Sequence, residues 1–462
     1  MSAPRTPLRP RSRARALAAL LATSALALSA CGGGDDAAGG AAGGGESVEP
    51  VTQEQIDEAM STPTQLTFWT WLPDAQKEVD LFEEAYPEID VELVNAGQGL
   101  DQYTKLRTAI RAGEGAPDVV QIEYQYLPSF TLGGDLLDLA PYGASELEDS
   151  YPEWVWEQIT EGDAVYGIPQ DVGPMGSLYR QDLLDQAGIE TPTTWEEFAE
   201  AARTMQEAVP GTYLTNMPGN DPGQFVGLLW QNGAKPFGFD GDQTVTIDLD
   251  TPEVLEVVEY WQGLIQEGVV STDADFNDQW YQGLASGKYA SWQTAAWGPV
   301  FLQGTAGDTS GLWRAAPLPA WEEGDTATGN WGGSTDAVLS STENPIAAAQ
   351  LATWFNTDPG PALTMALEQF LFVPHDVVLE DPQFLEAAPE FFGGQQVNQL
   401  YTELSEEVDT DFGWLPFMDY AYNSFNDTLG TAIDDDGDLV AGLEAWEADI
   451  TAYAEQQGFT VQ

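Results

Sequence analysis

One cysteine, Cys31, and one histidine, His375, are all that 462 residues offer for thiol or soft-metal chemistry. A lone cysteine cannot close an intramolecular disulfide, and zinc sites need several His or Cys ligands, so both uses are excluded. No Gly-x-Ser-x-Gly elbow and no His-Glu-x-x-His pair is present. His375 lies in the loop-like stretch FVPHDVV, a poor setting for a general base. Paired carboxylates can hydrolyse glycosidic bonds, yet among 76 acidic residues such pairs carry almost no information. The chain is instead rich in tryptophan, with 16 indoles. Flat aromatic faces suit the C–H surfaces of a polyhydroxylated ligand, while fixed polar groups bond its hydroxyls.

The position of Cys31 gives it one use. Arg5, Arg9, Arg11, Arg13 and Arg15 form a positive segment, followed by an almost wholly apolar run from Ala16 to Ala30. That is a secretory signal pattern, too short to remain as a membrane-spanning helix. Leu28-Ser29-Ala30-Cys31 resembles a bacterial lipobox, so Cys31 is expected to become the lipid-modified N-terminus after cleavage at residue 30. Residues 31–63, rich in Gly, Ala and acidic side chains, then read as a flexible tether, with a weakly helical segment around Gln53 to Met60 as the alternative near its end. No twin-arginine pair occurs. A membrane-anchored, extracytoplasmic location follows.

Charge excludes further classes. Five of 14 basic residues lie in the signal, leaving nine against 76 acidic ones. Such a surface repels itself unless salt screens it, which reads as adaptation to a saline setting. Nucleic acid and other polyanions are excluded as partners. Neutral or cationic ligands are favoured. The cluster IDDDGDLV at 433–440 lacks the glycine and glutamate spacing of a calcium loop and reads as a solvated turn.

Side chains for such a site must be positioned by a regular frame. LTFWTW at 66–71, IDVELVNA and PDVVQIEY read as strands, separated by amphipathic helices in DAQKEVDLFEEAYP and YTKLRTAIRAGEG. This rhythm predicts a parallel sheet covered by helices. Further helices are expected in TTWEEFAEAARTMQEAV, TPEVLEVVEYWQGLIQEG and NPIAAAQLATWFNTD, the first capped by Thr193 or Thr194. A body of about 400 residues suggests two domains.

Six stretches occur in an order that is recognisable: FEEAYPEIDVELV, YTKLRTAIRAGEGAPDVVQIEY, GGDLLDLAPY, the long run DAVYGIPQDVGPMGSLYRQDLL…, YQGLASGKYASWQTAAWGP and GNWGGSTDAVLSS…. Over residues 66–458 the chain resembles the carbohydrate-binding solute-binding lipoproteins of ABC importers, the family that includes maltose-binding protein. The resemblance implies an α/β fold of the periplasmic-binding-protein-like II type, two lobes with a ligand cleft between them. It implies lobe 1 from residues 64–172 and 298–372 and lobe 2 from 173–297 and 373–462, with Gly173 and Gly298 near hinges.

It also implies cleft residues. Trp69 and Trp71 follow the first strand, and Tyr124 and Gln125 follow the third beside Glu123. Asp171 sits at the first crossing. Trp230 and Asn232 form a stacking-plus-polar set, Trp292 and Trp297 belong to SWQTAAW, and Trp331 with Gly332 and Trp414 complete the candidates. The implied function is capture of a sugar or oligosaccharide by lobe closure and delivery to permease subunits by a monomer, with no catalytic residue, metal or cofactor. The alternatives are a secreted carbohydrate-active enzyme such as a glycoside hydrolase, or a surface sugar receptor outside transport.

Overall fold

The computed structural model describes residues 49–462. The signal segment, Cys31 and the tether as far as residue 48 lie outside the described residues. The expected tether is shorter than residue 63. Gln53–Met60 is a helix opened by a capping box, in which Thr52 and Gln55 each take the other's backbone N–H. Met60, at its end, is buried in the core.

Seven strands form the principal sheet and are numbered β1–β7 here: β1 Thr64–Trp69, β2 Ile89–Val94, β3 Val119–Glu123, β4 Ile168–Arg180, β5 Ser291–Ala295, β6 Trp313–Pro317 and β7 Asn330–Val338. The first three follow from period-two burial. Leu66 and Phe68 of β1 and Ile89 and Val91 of β2 point inward, each buried side chain contributing roughly 1.5–3 kcal/mol. β1 pairs in parallel with both β2 and β3. The intervening helices, Gln76–Ala85 and Leu100–Ala112, bury Val79, Phe82, Tyr103 and Leu106 against this half. The second helix stops at Gly113, which adopts the left-handed conformation.

The first three strands are parallel, as their rhythm predicts, and the rest of the sheet is antiparallel. β4 is 13 residues long and buried along its whole length. Its first half, residues 168–174, pairs with β7, and β7 pairs with β3. Its second half, residues 175–180, pairs with β5 and β6. One strand is thus shared by two groups of strands. The order along the sheet is β6-β4-β7-β3-β1-β2, with β5 also on β4. β6 pairs with residues 176–180, and β7 brings the chain back beside β3.

Close backbone approach at this crossing depends on glycine. A Cβ on Gly173 would lie 2.1 Å from the Trp331 carbonyl oxygen. Gly333 has φ +91°, and its register shift lets β7 pass Asp171.

The other expected helices form. Trp195–Ala208 is capped by Thr194, Pro252–Glu267 by Thr251, and Pro345–Thr357 covers β7. The acidic turn before the last helix supplies its cap: Asp438 accepts the Ala441 N–H at 3.1 Å. No helix among the described residues is long and apolar enough to cross a membrane.

Candidate ligand cleft

Four carboxyl groups and a wall of aromatic rings converge where β4 and β7 cross. Glu123 ends β3. Its Oε2 accepts the Tyr103 hydroxyl at 3.0 Å, and Gln125 Nε2 donates to Oε1 at 3.2 Å. Burial pushes the Glu123 carboxyl up to about 7; the two hydrogen bonds oppose this and the charges of Asp171 and Asp221 add to it. Asp171, on β4, accepts the Ser334 N–H at 3.0 Å and its hydroxyl at 2.5 Å, locking β4 to β7. Burial raises its carboxyl to about 6. Its backbone carbonyl accepts the Tyr124 hydroxyl at 3.1 Å.

Asp221 caps the helix Pro222–Gln231, accepting the Gln224 N–H at 3.0 Å. Its carboxyl group neighbours that of Asp275, which is held by Asn220 through Nδ2 to Oδ1 at 3.0 Å. Burial and the neighbouring Asp221 charge both push Asp275 upward. Two neighbouring buried carboxyl groups cannot both ionise freely.

The aromatic wall begins at Trp331, whose indole lies on the start of the same helix: a Cβ on Gly223 would come within 2.6 Å of its Nε1. Trp297 meets Trp331 edge to face at 4.7 Å and donates its Nε1–H to the Trp331 carbonyl at 2.8 Å. Trp292 supports both from behind and is 1% exposed. Phe276 completes the wall, 6.1 Å from Trp297 and 5.9 Å from Trp331. It is 40% exposed and held at φ 53°, a conformation that a bulky residue adopts only under constraint.

A scan against family models matches residues 69–360 to the bacterial extracellular solute-binding proteins. The chain belongs to this family. An arabinooligosaccharide-binding protein of Halalkalibacterium halodurans is 26% identical over 390 residues, 79% of this chain and 85% of that one. Among solved structures, the ABC transporter associated binding protein of B. animalis subsp. lactis Bl-04, in complex with beta-1,6-galactobiose, superposes with a TM-score of 0.77. It is 32% identical, covering 86% of this chain and 99% of its own. The galacto-N-biose-/lacto-N-biose I-binding protein of Bifidobacterium longum, with lacto-N-biose, gives 0.76 at 25% identity, covering 86% and 98%. The solute-binding protein described here has the two-lobed α/β fold of these binding proteins, with its cleft between the lobes.

Its structure brings together only part of the expected set. Trp292, Trp297, Trp331 and Gly332 share the wall, and Tyr124, Gln125 and Asp171 share the carboxylate floor. Trp71 stands beside that floor, edge-on to Tyr103 at 6.3 Å. Trp69 ends β1 opposite Val94 and Val120. Trp230, Trp414 and Asn232 belong elsewhere. Trp230 stacks on Phe412 at 4.1 Å and spends its Nε1–H on the Asp409 carbonyl. Trp414 packs against the same pair and bonds Gln158, lining a separate cavity of about 290 Å³. Asn232 Nδ2 donates to the Glu253 carbonyl at 2.8 Å.

Trp230→Ala is therefore expected to lower stability by about 3–5 kcal/mol while leaving ligand affinity within about twofold. Denaturant titration and calorimetric binding on the same variant measure the two effects separately.

Sequence reasoning missed Asp221, Asp275 and Phe276. Asp-Pro before the apolar run GQFVGLLW is a legible cap signal for Asp221. Nothing local marks the other two, whose roles arise from contacts distant in sequence. Among the described residues, no group of three or more His, Cys, Asp or Glu side chains is arranged to hold a metal ion.

Proposed function

We propose that this solute-binding protein captures a sugar or short oligosaccharide in the cleft and passes it chemically unaltered to the permease of an ABC importer. The observation that carries this reading is the juxtaposition of the Trp297–Trp331–Phe276 wall with the Glu123, Asp171 and Asp221 acceptors. Indole faces cover apolar C–H patches, and carboxylates accept hydroxyl protons in a partly dry site. Relatives that bind arabino-oligosaccharide, beta-1,6-galactobiose and lacto-N-biose support the ligand class. Lobe 1 contains β1–β3, lobe 2 contains β5 and β6, and β4 and β7 pass between them as the hinge, where closure pivots. A lipid on Cys31 holds a monomeric body at the extracytoplasmic face of the membrane.

The deciding experiment is isothermal calorimetry of the purified protein with beta-1,6-galactobiose, lacto-N-biose, lactose and arabino-oligosaccharides, followed by chromatography of the sugar. Binding with recovery of intact sugar supports transport; released monosaccharide overturns it in favour of hydrolysis. Trp297→Ala and Asp171→Ala should each weaken the bound sugar by roughly tenfold or more, about 1.4 kcal/mol per factor of ten. Asp171→Ala also leaves the buried Ser334 N–H unpaired and lowers stability by about 1–3 kcal/mol. Unchanged affinity in both variants would place the pocket elsewhere.

A further inference from the structure

The cleft carries negative charge that no cation of the protein offsets. Glu123, Asp171, Asp221 and Asp275 come from four separate segments of the chain, and no lysine or arginine among the described residues forms an ion pair with any of them. Arg107, near Tyr126, is committed to Asp419 and Ser129. Arg180, on β4, is committed to Asp182. Buried carboxylates are ordinarily matched by a cation or by hydrogen-bond donors. Each of the four has a donor, but two buried oxygens beside them are left over. Asp275 is 4% exposed, yet its Oδ2 has no hydrogen-bond partner. Gln224, 3% exposed and one turn along the helix that Asp221 caps, has an unpartnered Oε1. These two unpartnered oxygens lie beside the aromatic faces of Trp297, Trp331 and Phe276.

Carboxyl groups and rings without a cation define a complementary ligand. We propose that the cleft selects sugars by charge, holding a sugar that carries a protonated amine more tightly than its neutral parent and turning away a sugar acid. This rests on the sugar-binding reading above and adds a preference within it. An ammonium supplies donors and positive charge to the carboxyl groups at once, and the indole faces attract it further. A ligand carboxylate would add a like charge in a site of low dielectric with no cation to receive it.

Three monosaccharides that differ in one substituent, galactosamine, galactose and galacturonate, test this by calorimetry at neutral pH. Molar salt is included to screen the acidic surface. Galactosamine should bind roughly tenfold more tightly than galactose, and galacturonate roughly tenfold more weakly, even in that salt. Glu123→Gln and Asp221→Asn remove charge without removing bulk. Each should compress the spread between the three sugars, and circular dichroism identifies any variant that has failed to fold.

Galacturonate binding as well as galactose, or a spread unchanged in the folded variants, overturns the inference. So does failure of galactosamine while galactose or beta-1,6-galactobiose binds, which leaves the sugar reading standing. Failure of every sugar, the neutral disaccharides included, overturns the sugar reading and this inference together.

Discussion

Gly173→Ala should disable the protein with a single methyl group. The added Cβ would lie 2.1 Å from the Trp331 carbonyl oxygen, 2.9 Å from the Ala295 Cβ and 2.9 Å from Trp297 Nε1. The first of these is backbone in the central strand β7, so no side-chain rotation relieves the clash. The Gly173 N–H also donates to Asn330 Oδ1 at 2.9 Å, fixing its distance from β7. Strands β4 and β7 must separate, and the indole hydrogen bond from Trp297 to Trp331 must stretch with them. The expected loss of stability is about 3 kcal/mol, at the upper end of what overpacking costs. Ligand affinity should fall by roughly a hundredfold, because the wall is set by that contact. Gly263→Ala is the control: it lies in the helix Pro252–Glu267 with nothing within 4 Å of its Cβ position. It should be neutral or stabilising by up to about 1 kcal/mol. Urea titration and calorimetry of both variants decide the matter, and a Gly173→Ala protein of wild-type stability and affinity would refute this account of the crossing.

Trp331→Ala should be equally severe by the opposite route. Trp331 is 6% exposed and touches Phe276, Trp292 and Trp297. Its removal leaves a cavity between β7 and the helix Pro222–Gln231, costing about 3–5 kcal/mol. Because the same ring forms the wall, sugar affinity should fall by roughly a hundredfold or more, beyond the loss expected at Trp297. Trp331→Phe keeps a flat face and most of the volume, so part of both properties should return. Thermal unfolding and sugar titration read the two effects. A variant that loses stability but keeps full affinity would reduce Trp331 to a core residue, the behaviour expected of Trp230.

How much of this was legible in the residues follows from what each element depends on. β1–β3 and their helices were readable because alternation and helical spacing are local properties, and Gly113 marks a helix end without reference to the rest of the chain. The capping box Thr52–Gln55 was readable too, yet it was subsumed in a tether by composition. β4 and β7 were harder. PQDVGPM and NWGGSTD contain Pro and Gly, which local rules assign to turns, and only mutual pairing makes them strands. The wall was partly visible through its indoles, but an indole in sequence looks the same whether it covers a ligand, as proposed for Trp297, or stacks on Phe412, as Trp230 does. The Asp221–Asp275 contact joins residues 54 apart in a chain crowded with carboxylates, so no spacing could have isolated it.

The placement of β7 between β3 and β4 also governs how the molecule is made. As the polypeptide leaves the ribosome, β1–β3 and then the whole of β4 are synthesised well before residue 330, and until β7 arrives β4 shares no hydrogen-bonded edge with β1–β3. The central seam is therefore sealed last, by contacts more than 150 residues apart in sequence. That order favours slow folding, with exposed strand edges for a chaperone to cover meanwhile.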